Sequence, residues 1–182
     1  MKNAKKLVYC ATFAALCCLA TFLLAFPFPG GIGYFNVGDV IVLLAGWFLG
    51  PWLGGVAAGV GSALADVMAG YALYAPATLL IKGGVAIIGY FLWRLFRVFV
   101  KKEGLDFLFR ILAAVVAELF MVAGYFLYES ILYGMAGVGN ARVKAVRKEN
   151  YWSTTIFVLQ QICIQLCLLS TLGYVYAGAF CL

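Results

Sequence analysis

Tyr34 to Gly84 reads YFNVGDVIVLLAGWFLGPWLGGVAAGVGSALADVMAGYALYAPATLLIKGG. The stretch is apolar enough for a lipid bilayer, yet it holds Asn36, Asp39, Asp66 and Lys82, and Pro51 and Pro76 break it. Ionisable groups are costly in hydrocarbon. They persist there either as parts of a functional site or as partners that neutralise one another.

The composition of the whole chain agrees with a bilayer setting. Of 182 residues, 66% are hydrophobic and 11% charged, where soluble domains have roughly 45–50% and about 25%. At roughly 20 residues per crossing, the length accommodates about six helices. The expected fold is therefore an all-α integral membrane protein, with residues 1–182 as one transmembrane domain. The absence of histidine removes histidine bases and histidine metal ligands. The six cysteines, Cys10, Cys17, Cys18, Cys163, Cys167 and Cys181, lie in apolar segments. There they read as small hydrophobes rather than as a disulfide framework or a metal site. The net charge of +6 is read as a topological signal and not as a nucleic-acid surface.

Lys2, Lys5 and Lys6 precede the uncharged run Leu7 to Phe26. That run is long for a signal peptide and lacks a small-residue cleavage pattern, so a first spanning helix is expected. Ala11 and Ala15 are four apart, as are Cys10, Ala14 and Cys18 beside them. Each strip of small residues allows close helix approach, either within the chain or against another membrane subunit. Pro27, Pro29, Gly30, Gly31 and Gly33 make Phe26 to Asn36 a loop or re-entrant stretch. The second helix is expected from about Tyr34 to Gly50-Pro51, and the third from Trp52 to Ala69. Gly46, Gly50 and Gly54 form one strip, and Gly55, Gly59 and Ala63 another, which implies tight packing of these two helices. The fourth helix is expected from Pro76 to Val98, the fifth from Leu105 to Ile131 and the sixth from Ser153 to Ala179. Gly59-Val60-Gly61-Ser62 lacks the lysine and the strand of a nucleotide loop.

Lys2, Lys5 and Lys6 fall on the same side as Arg94, Arg97, Lys101, Lys102 and Arg110 when about six helices cross. The positive-inside rule makes that side, and both termini, cytoplasmic. Arg142, Lys144, Arg147 and Lys148 then face outward, as a solvated surface or as a lid over an anionic group. Asp39, Asp66 and Glu129 gather near the outer helix ends, with Lys82 roughly 9 Å down the fourth helix. Asn36, Tyr71, Tyr74 and Asn150 lie in the adjoining loops. These groups suggest a polar cavity open to the outside. Asp39 and Lys82 either touch ligand or pair with each other. Asp66 suits a cap or structural partner, and Glu118, in mid-helix, needs a partner or a proton. Tyr125, Tyr128 and Trp152 are candidate stacking groups. No nucleophile–base pair, cofactor fingerprint or ATPase motif is present, so binding is better supported than catalysis. An enzyme is not expected.

Tyr34 to Asp39, Gly50-Pro51, Gly61 to Asp66, Gly70-Tyr71 and Tyr74 to Gly83 resemble the S components of energy-coupling factor (ECF) vitamin transporters, in their riboflavin-type branch. The resemblance implies a prokaryotic cell-membrane protein of six spans that captures a riboflavin-, pyridoxine- or hydroxymethylpyrimidine-like compound. It implies substrate-binding roles among Asn36, Asp39, Tyr71, Tyr74, Lys82, Tyr125, Glu129 and Gln161. Ala11 and Ala15 would dock on a transmembrane coupling subunit. Two cytoplasmic ATPases would bind the ATP, so this chain itself would carry no cofactor, and the S component would topple to deliver its substrate. Residues 151–161, YWSTTIFVLQQ, depart from the family by lacking a Pro and an Asn before the Gln, leaving Gln160 or Gln161 for that role. The same intramembrane charges also allow a self-sufficient ion-coupled transporter or channel, and the glycine strips alone would suit a membrane assembly factor.

Overall fold

In the computed structural model, residues 2–23, 25–27, 34–99 and 103–136 are described. Five helices follow in order: α1 (Lys2–Leu23), α2 (Gly38–Leu49), α3 (Pro51–Met68), α4 (Ala75–Phe99) and α5 (Glu103–Ala136). Two three-residue strands, β1 (Ala25–Pro27) and β2 (Tyr34–Asn36), precede α2. The sixth predicted helix lies outside the described residues, as do Arg142 to Lys148, Asn150, Trp152, Gln160, Gln161 and the last three cysteines.

Sequence periodicity misplaced the start of α2. Tyr34 to Asn36 are extended and pair antiparallel with β1, matching Ala25 to Asn36, Phe26 to Phe35 and Pro27 to Tyr34. The helix begins only at Gly38. The prolines disfavour helix on one arm, and the ladder satisfies backbone groups that an open loop at a membrane surface would expose. At 12 residues, α2 rises about 18 Å, well short of the roughly 30 Å hydrocarbon core. The segments Ala4–Leu23, Ala75–Val98 and Leu108–Leu132 are long and apolar enough to cross a membrane.

The short α2 turns directly into α3. Gly50 has φ +85°, a left-handed conformation open to glycine, and Pro51 occupies the first turn of α3. From there α3 becomes the hub of the bundle. A Cβ on Gly54 would lie 2.4 Å from the Ala45 carbonyl oxygen of α2. One on Gly59 would lie 2.5 Å from that of Leu79 in α4, and one on Gly61 2.3 Å from that of Ala14 in α1. Gly54 and Gly61, seven residues apart on one face of α3, and Gly59 on another thus let three backbones approach it closely. The core continues through Cys17, Val42, Leu43, Ala58, Val85, Ala86, Ala114 and Ala117, all essentially buried.

The two small-residue strips of α1 separate. Ala14 and Cys17 face α3, and the Cys10 thiol reaches the Leu53 carbonyl oxygen. Ala11 and Ala15 are exposed on the other side. Leu7, Leu16 and Leu19 of α1 and Trp52, Val56 and Leu64 of α3 are likewise exposed, as a lipid-facing belt requires.

Gly61→Ala places a methyl against backbone and is expected to cost about 1–3 kcal/mol. Gly84→Ala meets only the exposed Phe120 ring, which can swing away, and should cost less. Thermal unfolding of both variants in detergent measures the difference. Equal losses would contradict the close approach of α1 and α3.

Candidate functional site

One end of the bundle collects the start of α2, the α3–α4 turn, the start of α4 and the end of α5. Asp39 lies in the first turn of α2 and is 1% exposed. Lys82 projects from α4, 4% exposed, and its ammonium donates to Asp39 Oδ1 in a buried ion pair. The Lys82 Nζ also lies 2.9 Å from the Met121 Sδ of α5. A lone charge here would forfeit its hydration without return, and pairing makes both charges tolerable. Glu118 is also buried, one turn from Met121, and acts electrostatically on Lys82.

A second set of polar groups lies one turn toward the helix end. Thr78 is four residues before Lys82 and shares its face of α4. Asp66 of α3 lies near its side chain. The Tyr125 hydroxyl lies 3.0 Å from Thr78 Oγ1, a hydrogen bond between two hydroxyls. Further out, the Tyr128 hydroxyl donates to the Leu73 carbonyl oxygen at 2.6 Å. The Tyr128 ring meets Tyr74 edge-on at 5.7 Å. Glu118, Met121, Tyr125 and Tyr128 therefore form one stripe of α5 at helical spacing.

The sequence-selected residues thus divide. Asp39, Lys82 and Tyr125 come together, and Tyr74 sits at their outer edge. Asp66 is close by, near Thr78. Asn36 ends β2, next to the start of α2, and Glu129 follows Tyr128 on α5. Tyr71 is 60% exposed, in the α3–α4 turn. Gln161 is outside the described residues. The ion pair is sealed rather than open to solvent: Asp39 and Lys82 close on each other, and α5 covers them. Thr78 and Met121 were missed, because neither residue type announces a site. Their spacing, four residues from Lys82 and three from Glu118, was the available signal.

This arrangement supplies carboxylate acceptors, an ammonium, phenol hydroxyls, a thioether and aromatic edges in a water-poor setting. Such a set can hold a small polar heteroaromatic compound. Breaking the pair has a defined consequence. Lys82→Met or Asp39→Leu is expected to destabilise the ligand-free protein by about 3–5 kcal/mol, and the two together by less than either alone. Unfolding midpoints of the four proteins in detergent give the coupling. Simple additivity would show that the two side chains do not share an interaction.

Comparisons with known proteins agree on this architecture. The family model described as "ECF-type riboflavin transporter, S component" matches residues 1–173. The chain is 40% identical over 121 residues to an uncharacterized protein of Pyrococcus woesei, covering 65% of this chain and 74% of that one. It is 31% identical over 134 residues to the thiamine precursor transporter HmpT of Lactococcus lactis subsp. cremoris (strain MG1363), covering 73% and 72%. The solved S component of a bacterial ECF transporter superposes with a TM-score of 0.68 over 98% of both chains, at 18% identity, a likeness of fold. With its membrane-length apolar helices and its polar cluster at one end of the bundle, the chain belongs to the ECF-type riboflavin transporter S-component family.

Proposed function

We propose that this S component captures a small water-soluble vitamin or vitamin precursor from outside the cell and presents it to partner subunits for ATP-driven uptake. The observation that carries this reading is the polarity of the bundle. Asp39, Lys82, Asp66, Tyr74 and Tyr125 gather at one end. The start of α1, the end of α4 and the start of α5, with Lys5, Lys6, Arg94, Arg97 and Arg110, occupy the other. The positive-inside rule assigns the basic end to the cytoplasm and the polar cluster to the outer face of the cell membrane. Both termini are cytoplasmic in this reading, with the sixth helix crossing within residues 137–182.

The thiamine precursor transporter among the relatives supports a pyrimidine-type substrate. Carboxylates accept hydrogen bonds from ring amines, tyrosines stack on or edge toward a heteroaromatic ring, and both kinds of group are present. Asn36, Asp39, Tyr74, Lys82, Tyr125, Glu129 and Gln161 are the proposed contacts, with Tyr71 at the entrance. The outward Ala11–Ala15 strip is the proposed dock for the transmembrane coupling subunit, and two ATPases supply the energy. A self-sufficient ion-coupled transporter would use the same carboxylates as a relay, but family membership favours the coupled reading.

Calorimetry of the purified protein with hydroxymethylpyrimidine, pyridoxine and riboflavin tests the proposal. One of these compounds is expected to bind, and Tyr125→Phe to weaken it about five- to tenfold, as for loss of one hydrogen bond. No binding by any of them, with or without the coupling subunits, would sink the substrate assignment. Uptake into proteoliposomes without an ATPase would favour the ion-coupled mechanism instead. Separately, Ala15→Trp should abolish co-purification with the coupling subunit while leaving ligand affinity unchanged. Retained co-purification would remove α1 from the docking surface.

A further inference from the structure

Two phenols of the polar cluster differ in what their hydroxyls are bonded to. Tyr128 donates to the Leu73 carbonyl oxygen at 2.6 Å. A carbonyl can only accept, so the Tyr128 proton is committed and its oxygen is left with lone pairs to offer. Tyr125, three residues earlier on the same stripe of α5, lies 3.0 Å from Thr78 Oγ1. A threonine hydroxyl both donates and accepts. The Tyr125 proton can therefore point into that bond or away from it, and Thr78 decides which.

The surroundings of Thr78 bear on that choice. The residue is 2% exposed, so its hydroxyl takes its partners from the protein rather than from solvent. Asp66 of α3 lies near its side chain, and a carboxylate accepts without donating. Lys82, four residues on along α4, turns its ammonium to Asp39 and Met121 instead. A Thr78 proton turned toward Asp66 leaves Oγ1 to accept from Tyr125. The Tyr125 proton is then committed, as that of Tyr128 is. Both phenols, one turn apart on α5, are left presenting oxygen lone pairs.

We infer that Thr78 is a positioning residue for specificity. By taking the Tyr125 proton it makes that phenol an acceptor, and so selects a ring that carries an amino group at this edge over one that carries a carbonyl. The inference rests on the proposed capture of a vitamin-like heteroaromatic compound at this cluster, and names the edge that is read there. An amino group donates to the phenol oxygen. A ring carbonyl in the same place sets lone pair against lone pair. It must forgo the bond, or turn the Tyr125 proton outward at the cost of the bond to Thr78.

The test measures, by calorimetry on the full chain in detergent at neutral pH, the dissociation constants of 4-amino-5-hydroxymethyl-2-methylpyrimidine and of its 4-oxo analogue. The amino compound is expected to bind about tenfold more tightly, as for one hydrogen bond made against one refused. Thr78→Val keeps the shape of the side chain, removes its hydroxyl and releases the Tyr125 proton. The oxo analogue should then bind more tightly than it does to the unaltered chain, and the ratio should fall to within about twofold. Asp66→Ala removes the acceptor for the Thr78 proton and should lower the ratio in the same sense, whereas Thr78→Ser should restore it. If Thr78 only ties α4 to α5, Thr78→Val will weaken both compounds alike and leave the ratio unchanged, which would overturn the inference. Equal affinity of the unaltered chain for the two compounds would overturn it as well, with the capture reading left standing. So would binding of pyridoxine or riboflavin but of neither pyrimidine. Binding of none of the four would sink the capture reading and the inference together.

Discussion

The structure depends most on the buried pairing of Asp39 and Lys82. Neither charge can be left alone where both are shut off from water, so the first turn of α2 and the second turn of α4 must meet. Met121 then brings α5 onto the same ammonium, and Glu118 adds a second carboxylate from one turn away. Three helices distant in sequence are thereby registered at one depth. Apolar packing alone is tolerant of small slips along a helix axis, whereas an ion pair in a low-dielectric interior is not.

That register is possible only because the helices lie unusually close. Gly54, Gly59 and Gly61 of α3 remove the side chains that would keep α2, α4 and α1 apart, and Gly46 does the same between α2 and Ala86 of α4. The arrangement divides the work. The α1–α3 side is packed from glycine, alanine and cysteine and has little side chain to vary. The α4–α5 side presents Thr78, Tyr125 and Tyr128 around the buried Lys82–Asp39 pair. The larger polar and aromatic side chains of the cluster therefore come from α4 and α5. The glycine hub fixes where they stand.

Much of this was legible from the chain. The apolar runs and the Gly50-Pro51 turn gave the helices to within a few residues, because lipid demands length and proline restricts the backbone. The gathering of Asp39 and Lys82 followed from counting spans and placing charges. Other features depended on what periodicity does not encode. The β1–β2 pair was missed because Tyr34-Phe35-Asn36 is as apolar as the helix that follows it, and its pairing is set by the far arm of the loop. The choice between Asp39 and Asp66 as the partner of Lys82 needed coordinates, since both carboxylates lie near the same helix end. In the folded chain it is Asp39 that Lys82 reaches. The strips on α1 were equally plausible for inner or outer packing. Only the rotation of α1 about its axis, fixed by the contact of Ala14 with Gly61, turned Ala11 and Ala15 outward.

That rotation also fixes the α1 side of the bundle. A Cβ on Gly61 of α3 would lie 2.3 Å from the Ala14 carbonyl oxygen, so the two backbones meet with no side chain between them. Small residues at this contact leave α1 little room to shift against α3, while Ala11 and Ala15 face outward.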